Sequence, residues 1–246
     1  MFFLLKDDPF SSKQILLYRR LFIITHVFLP LLFIVPIFTG FHWGNWDILI
    51  STFFYDFTNH KWIYKNFWVI QKLFHIGGRI LFFTIIAGIL LLLVNSFKSG
   101  SGLKNYRRNL AYLLVASIAG PIIIIILKSK SAIYCPWELQ LFGGLKPHIH
   151  LLETLDPRMN EGHCFPAAHA GSGFAFVSLY FFFLTTQAKN RFYGLSFGLS
   201  LGGVYGATQQ MSGAHFFSHD VFALAICWYT SLFFFLLFFR KQFDWI

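Results

Sequence analysis

Leu110–Leu127 reads LAYLLVASIAGPIIIIIL, eighteen residues without a charge, set between Arg107-Arg108 and Lys128. A bilayer core takes about 20 apolar residues of helix, and in lipid the backbone must satisfy its own hydrogen bonds, so a membrane helix is expected here. Working outward, five more apolar segments emerge: Leu21–Thr39, Ile80–Phe97, Pro166–Thr186, Phe192–Met211 and Val221–Phe239. The expected fold is therefore all-α: a polytopic membrane protein built as a six-helix bundle. One membrane domain is expected over residues 1–246, with a cytoplasmic N-terminal segment at 1–20 and an outer loop at 128–165.

Composition agrees. Of 246 residues, 56% are hydrophobic, 12% are charged and Phe occurs 34 times. A soluble domain carries about 25% charged residues, whereas charge facing lipid costs several kcal/mol. The net charge of +10 does not indicate nucleic acid, because no basic helix or basic-aromatic sheet pattern accompanies it. It fits loops near anionic headgroups. With the N-terminus inside, twelve of the twenty Lys and Arg residues fall on inside segments, clustered tightly at helix ends such as Arg19-Arg20 and Arg107-Arg108. That clustering sets both termini on the cytoplasmic side. The apolar start MFFLL is too short for a cleavable signal peptide, so the first span is expected to act as the targeting signal.

Three local features complete the pass. Residues 40–68 are rich in Trp and Tyr, which favours an interfacial or re-entrant segment. Pro30 and Pro36 are expected to bend the first span, a disturbance that neighbouring helices tolerate. Gly194, Gly198, Gly202 and Gly206 form a ladder at four-residue spacing that lets another helix approach closely.

Under this topology the unusual polar residues gather at one face. Lys128 ends the third span, His169 lies in the first turn of the fourth, His215 follows the fifth, and His219 and Asp220 begin the sixth. Ionisable groups at membrane helix ends are functional candidates. An ammonium, helix N-termini and two imidazoles suit phosphoryl transfer: one cradle for an anion, one nucleophile, one proton donor. Asp220 has two open readings, an orienting carboxylate for a histidine or an N-cap of the sixth span.

Lys128-x6-Cys135-Pro136, then Pro166-Ala167-Ala168-His169, then Gly213-Ala214-His215-Phe216-Phe217-Ser218-His219-Asp220 resemble the three motifs of the type-2 phosphatidic acid phosphatase superfamily, over about residues 75–240. Those motifs read K-x6-R-P, P-S-G-H and S-R-x5-H-x3-D. The resemblance implies a metal-independent phosphatase or phosphotransferase without a cofactor. By position, His215 would form a phosphohistidine, His169 would protonate the leaving group, and Lys128, Ala167 and Ala168 would line the phosphate. It further implies a membrane lipid phosphate as substrate, at the periplasmic face of a bacterial inner membrane. The sequence departs at Cys135 and Gln209, where the family has arginines, at Thr208, Ala167 and Ala168, and at His219, where the carboxylate is expected one residue early. CPW with GAHFFSHD is similar to a divergent bacterial membrane branch, in which other cations would contact phosphate; Lys130, Lys146 and Arg158 are the candidates.

Loss of both guanidiniums also opens a rival reading, a catalytically reduced protein that binds lipid phosphates. A transporter fits less well, since no charged residue lies mid-span and no inverted repeat is visible. Cys135 and Cys164 both fall in the outer loop, where they are either a disulfide or two separate thiols, while Cys227 reads as a buried apolar residue. His148, His150 and His163 with Glu153, Asp156 and Glu161 have a spacing compatible with zinc but also with ordinary solvated loop residues, the preferred reading.

Overall fold

The computed structural model describes residues 12–153 and 160–240. Asp156 and Arg158, the first eleven residues and Lys241 lie outside them. The described chain is mostly helical, with only two strands of two residues each. Helix α1 (Ser12–Ile23) continues through a π-helical turn (Ile24–Phe28) into α2 (Leu29–Trp43). The turn ends just before Pro30, whose missing N–H removes one rung of the ladder; a wider turn absorbs that loss. Then come α3 (Trp46–Thr52), strands β1 (Tyr55–Asp56) and β2 (Lys61–Trp62), and α4 (Gly77–Asn95), entered by a π-helical segment over Val69–Ile76. Helices α5 (Arg107–Lys128), α6 (Ala168–Phe174), α7 (Ser178–Thr186), α8 (Arg191–Met211) and α9 (Phe217–Phe239) follow.

Five helical stretches are long and apolar enough to cross a membrane: Leu16–Trp43, Lys72–Asn95, Lys104–Lys128, Ala168–Thr186 and Phe217–Phe239. They coincide with five of the six expected segments. The remaining one, α8, has 21 residues and hence the length, but its glycines, serines, Thr208, Gln209 and Gln210 dilute its apolar character.

Those glycines serve packing. A Cβ on Gly198 would lie 2.4 Å from the Val177 nitrogen, and one on Gly202 would lie 2.1 Å from the Phe174 ring. A Cβ on Gly206 would meet the Asp220 carboxylate at 2.3 Å. Helix α8 therefore seats against α6, α7 and α9 with backbone nearly touching its neighbours, as small-residue ladders permit. Helix α9 is central, packed on α5, α2 and α6. Its own Phe235 and Phe239 share a core with Tyr112, Phe176 and Phe181, all at most 1% exposed. Tyr112 donates its hydroxyl proton to the Ser231 carbonyl at 3.2 Å, which satisfies the one polar atom this core ring carries.

The aromatic segment after α2 is not one interfacial helix. It forms α3 and a hairpin in which Tyr55 pairs with Trp62 and Asp56 with Lys61. Asp56 accepts the Thr58 and Asn59 main-chain N–H groups and so holds the turn. Tyr55 and Trp62 then pack with Tyr134, Leu139, Phe142, Ile149 and Phe216 in a second core at one end of the bundle. The rings find burial in the protein's own long loop, a better partner for them than an interface alone. Gly213, at φ 76°, leaves the room that Trp62 occupies: a Cβ there would sit 2.3 Å from the indole.

Candidate active site

The same end of the bundle collects the polar residues singled out by sequence. Helix α5 stops at Lys128, and the chain then runs through Cys135. Cys135 is disulfide-bonded to Cys164, with Cα atoms 5.2 Å apart and a sequence separation of 29. This bond answers the open reading of the two cysteines. It brings the segment after α5 to the start of α6. Glu138 accepts the Cys135 main-chain N–H at 2.8 Å, and Pro136 begins a short 3₁₀ turn. Free Cys227 is buried, as expected.

Ala167, fully buried, donates its N–H to the His219 carbonyl at 3.3 Å, which ties the start of α6 to the first turn of α9. His169 follows in the first turn of α6. Its ring stacks on Tyr205 of α8 at 4.6 Å, and its Nε2 lies 3.1 Å from the Phe74 carbonyl oxygen, so the Nε2 proton is donated there. The His75 ring is 4.9 Å away.

His215 lies in the turn between α8 and α9 and is 6% exposed. Its Nδ1 is 3.4 Å from Cys164 Sγ, and since a disulfide sulfur carries no proton, the ring nitrogen is the donor of that contact. Burial holds its pKa well below the ordinary 6.5, and the charges of Lys128, His219 and His169 push the same way. The result is a neutral imidazole at neutral pH with an ammonium in electrostatic reach. Such a pair can receive an anionic electrophile and attack it. His219 is wholly buried, its ring 5.8 Å from that of His215, and neither ring nitrogen has a hydrogen-bond partner among the described residues.

Among the described residues, the Asp220 carboxylate is bonded to α8 and not to a histidine. Its Oδ2 accepts from Gln210 Nε2 at 2.6 Å, and the carboxylate fills the space over Gly206. Nor is it the N-cap of α9, since that helix begins three residues earlier. The cap position is held by Phe216, whose side chain cannot cap. Asp47 of α3 takes over: its Oδ1 accepts the Ser218 N–H at 3.0 Å. Burial raises the Asp47 pKa to about 6, opposed by its hydrogen bonds to Ser218 and Phe217.

The other expected cations are spread out. Lys130 is exposed, and Lys146 lies over the Tyr134 ring at 5.1 Å. Arg158 lies outside the described residues. The histidine set divides: His148 and His150 gather with His42, the His42 and His150 rings 5.2 Å apart, while His163 pairs with Glu161 at 3.7 Å in solvent. Leu151 donates its N–H to His42 Nε2 at 2.6 Å. Burial, then the charge of His150, lowers the His148 pKa. Among the described residues, only Cys135, Cys164 and His215 bring three metal-ligating atoms within 4.8 Å of one another. Their disulfide leaves no thiolate to ligate.

Asp47, His42, His75 and Arg79 were not singled out in the sequence. Each comes from a segment that precedes all three motifs, and only tertiary packing brings it to them. Compared with known proteins, a family model described as the PAP2 superfamily matches residues 109–243. Neither curated proteins nor solved structures yield a match.

Proposed function

Because this chain belongs to the PAP2 superfamily, whose members are generally phosphatases, we propose that it removes phosphate from a membrane lipid phosphate or pyrophosphate through a phosphohistidine. The observation that carries the reading is the convergence of His215, His169 and Lys128 at one end of an apolar helical bundle.

In this reading His215 Nε2 is the nucleophile. Its Nδ1 side faces Cys164, which fixes the proton on Nδ1 and leaves the Nε2 lone pair free. Lys128 and the N–H groups opening α6, from Ala168 onward, hold the phosphate oxygens, the Ala167 N–H being taken by the His219 carbonyl. Attack forms a nitrogen–phosphorus bond and breaks the phosphorus–oxygen bond to the lipid. His169, as the imidazolium, gives its Nε2 proton to the departing oxygen, which displaces the Phe74 carbonyl as its acceptor, and is left as the neutral imidazole. It then takes a proton from water, whose oxygen attacks phosphorus and frees His215. Asp220 acts at one remove: through Gln210 it clamps α8 to α9 on either side of the turn that carries His215. Every step uses side chains of this chain, with no metal or cofactor in the scheme.

We read α8 as the sixth membrane helix, with both termini cytoplasmic and the site at the outer face of a bacterial inner membrane. The Cys135–Cys164 disulfide supports that orientation, since such bonds persist in oxidising compartments. The lipid's phosphate then lies at the headgroup level while its chains stay in the bilayer. Detergent-purified protein is expected to release inorganic phosphate from lipid phosphates. His215→Ala should lower the rate by roughly 10⁴-fold or more, and His169→Ala by about 10²- to 10⁴-fold. Undiminished release by His215→Ala would remove the nucleophile from the scheme.

A further inference from the structure

The phosphate cradle lacks two guanidiniums at Cys135 and Gln209. A compact, highly charged oxyanion held by one lysine and backbone N–H groups is short of both charge and donors. The structure offers a replacement from an unexpected direction. The π-helical segment that enters α4 packs directly on motif two: Phe74 receives the His169 proton, and His75 lies beside the His169 ring. Tyr205, which stacks on His169, also donates its hydroxyl to the Gly78 carbonyl at 3.1 Å. A Cβ at Gly78 would stand 2.8 Å from the Tyr205 ring, so only glycine lets α4 begin this close to the site.

Arg79 follows Gly78 and lies one helical turn beyond His75, on the same side of the helix. It is exposed, makes no hydrogen bond or ion pair among the described residues, and lies in electrostatic reach of both His75 and His169. His75 Nδ1 is buried without a partner among the described residues. Below Arg79 a shallow groove of about 550 Å³ runs along α4, lined by Ile76, Arg79, Ile80, Phe83, Thr84 and Ala87. Arg79 is its one charge, and the rest of it is nearly all apolar. That profile matches an amphiphile with an anionic head and a hydrocarbon tail.

We propose that Arg79, with His75, grips the phosphate of the incoming lipid in place of the missing motif arginines, while the lipid's chain lies along α4 over Ile80 and Phe83. The inference rests on the lipid-phosphatase reading above. An arginine fork matches two phosphate oxygens at once, which a lysine cannot do. Arg79 is therefore the residue that sorts phosphorylated lipids from neutral ones at the site.

The test uses the full chain in detergent and dioctanoyl phosphatidic acid as probe. Steady-state hydrolysis is measured for wild type, Arg79→Gln and Arg79→Lys. Binding is measured by calorimetry in a His215→Ala background with and without Arg79→Gln. Arg79→Gln is expected to raise KM and Kd by about tenfold or more, with kcat changed far less, and Arg79→Lys to recover part of the loss. Thermal midpoints should not move, because the side chain is exposed and unbonded. KM and Kd of Arg79→Gln within twofold of the parent, with an active wild type, would overturn the arginine and leave the phosphatase intact. A wild type that neither binds nor hydrolyses the probe would overturn both.

Discussion

Among single residues, His215 carries the clearest prediction. Its pKa is depressed, so the folded protein holds the neutral imidazole that attack requires. Activity should rise with pH through that pKa and reach its plateau below 6.5, with a slope of roughly tenfold per pH unit on the acid side. The same sign governs stability: the contribution is present above the unfolded value and is lost as pH falls through the folded one. A pH–rate profile checks this, and an acid limb centred above 6.5 would contradict it. His215, His169 and Lys128 were legible in the sequence because each is a chemically distinctive side chain at the end of an apolar run. Arg79 and His75 were not, since a cation near the end of a span reads as an ordinary snorkelling residue until its neighbour is known. For Asp220, position alone suggested a carboxylate for a histidine; its bond to Gln210 and its seat over Gly206 come only from packing.

At the scale of elements, α9 has a start that its own sequence does not explain. Phe216 precedes it where a Ser, Asp or Asn would normally accept the first N–H groups. The acceptor arrives from Asp47, 171 residues earlier in the chain. Asp47→Ala should therefore lower stability by about 0.5–2 kcal/mol, the range for a lost cap, with Asp47→Asn losing less because it keeps an acceptor. Thermal unfolding in detergent measures both. Equal losses for the two variants would mean that the contact is not acting as a cap. Helix existence was easy to read from sequence, because lipid-compatible runs have few alternatives. Helix α8 was harder, since its glycine ladder answers to close neighbours and weakens the very hydropathy that marks a span. The aromatic stretch at 40–68 was read for its affinity to an interface, and no local pattern could show that the loop after α5 would bury Tyr55 and Trp62.

For the whole molecule, orientation is the property that decides which lipids the site can meet. Leu145, 86% exposed in the loop near the site, and Lys189, exposed between α7 and α8, should lie on opposite sides of the membrane. In intact cells a membrane-impermeant maleimide should label Leu145→Cys and not Lys189→Cys. The native cysteines stay silent, two in the disulfide and one buried. Labelling of Lys189→Cys alone would invert the topology. Under the proposed orientation the disulfide also has a bearing on timing. Cys135 and Cys164 join only after both have left the reducing cytosol, and the same union draws Cys164 up against His215. In that reading export completes the site: a newly made chain still on the cytoplasmic side lacks the bond that joins Cys135 to Cys164 beside His215, and lipid phosphates on that side are spared from it.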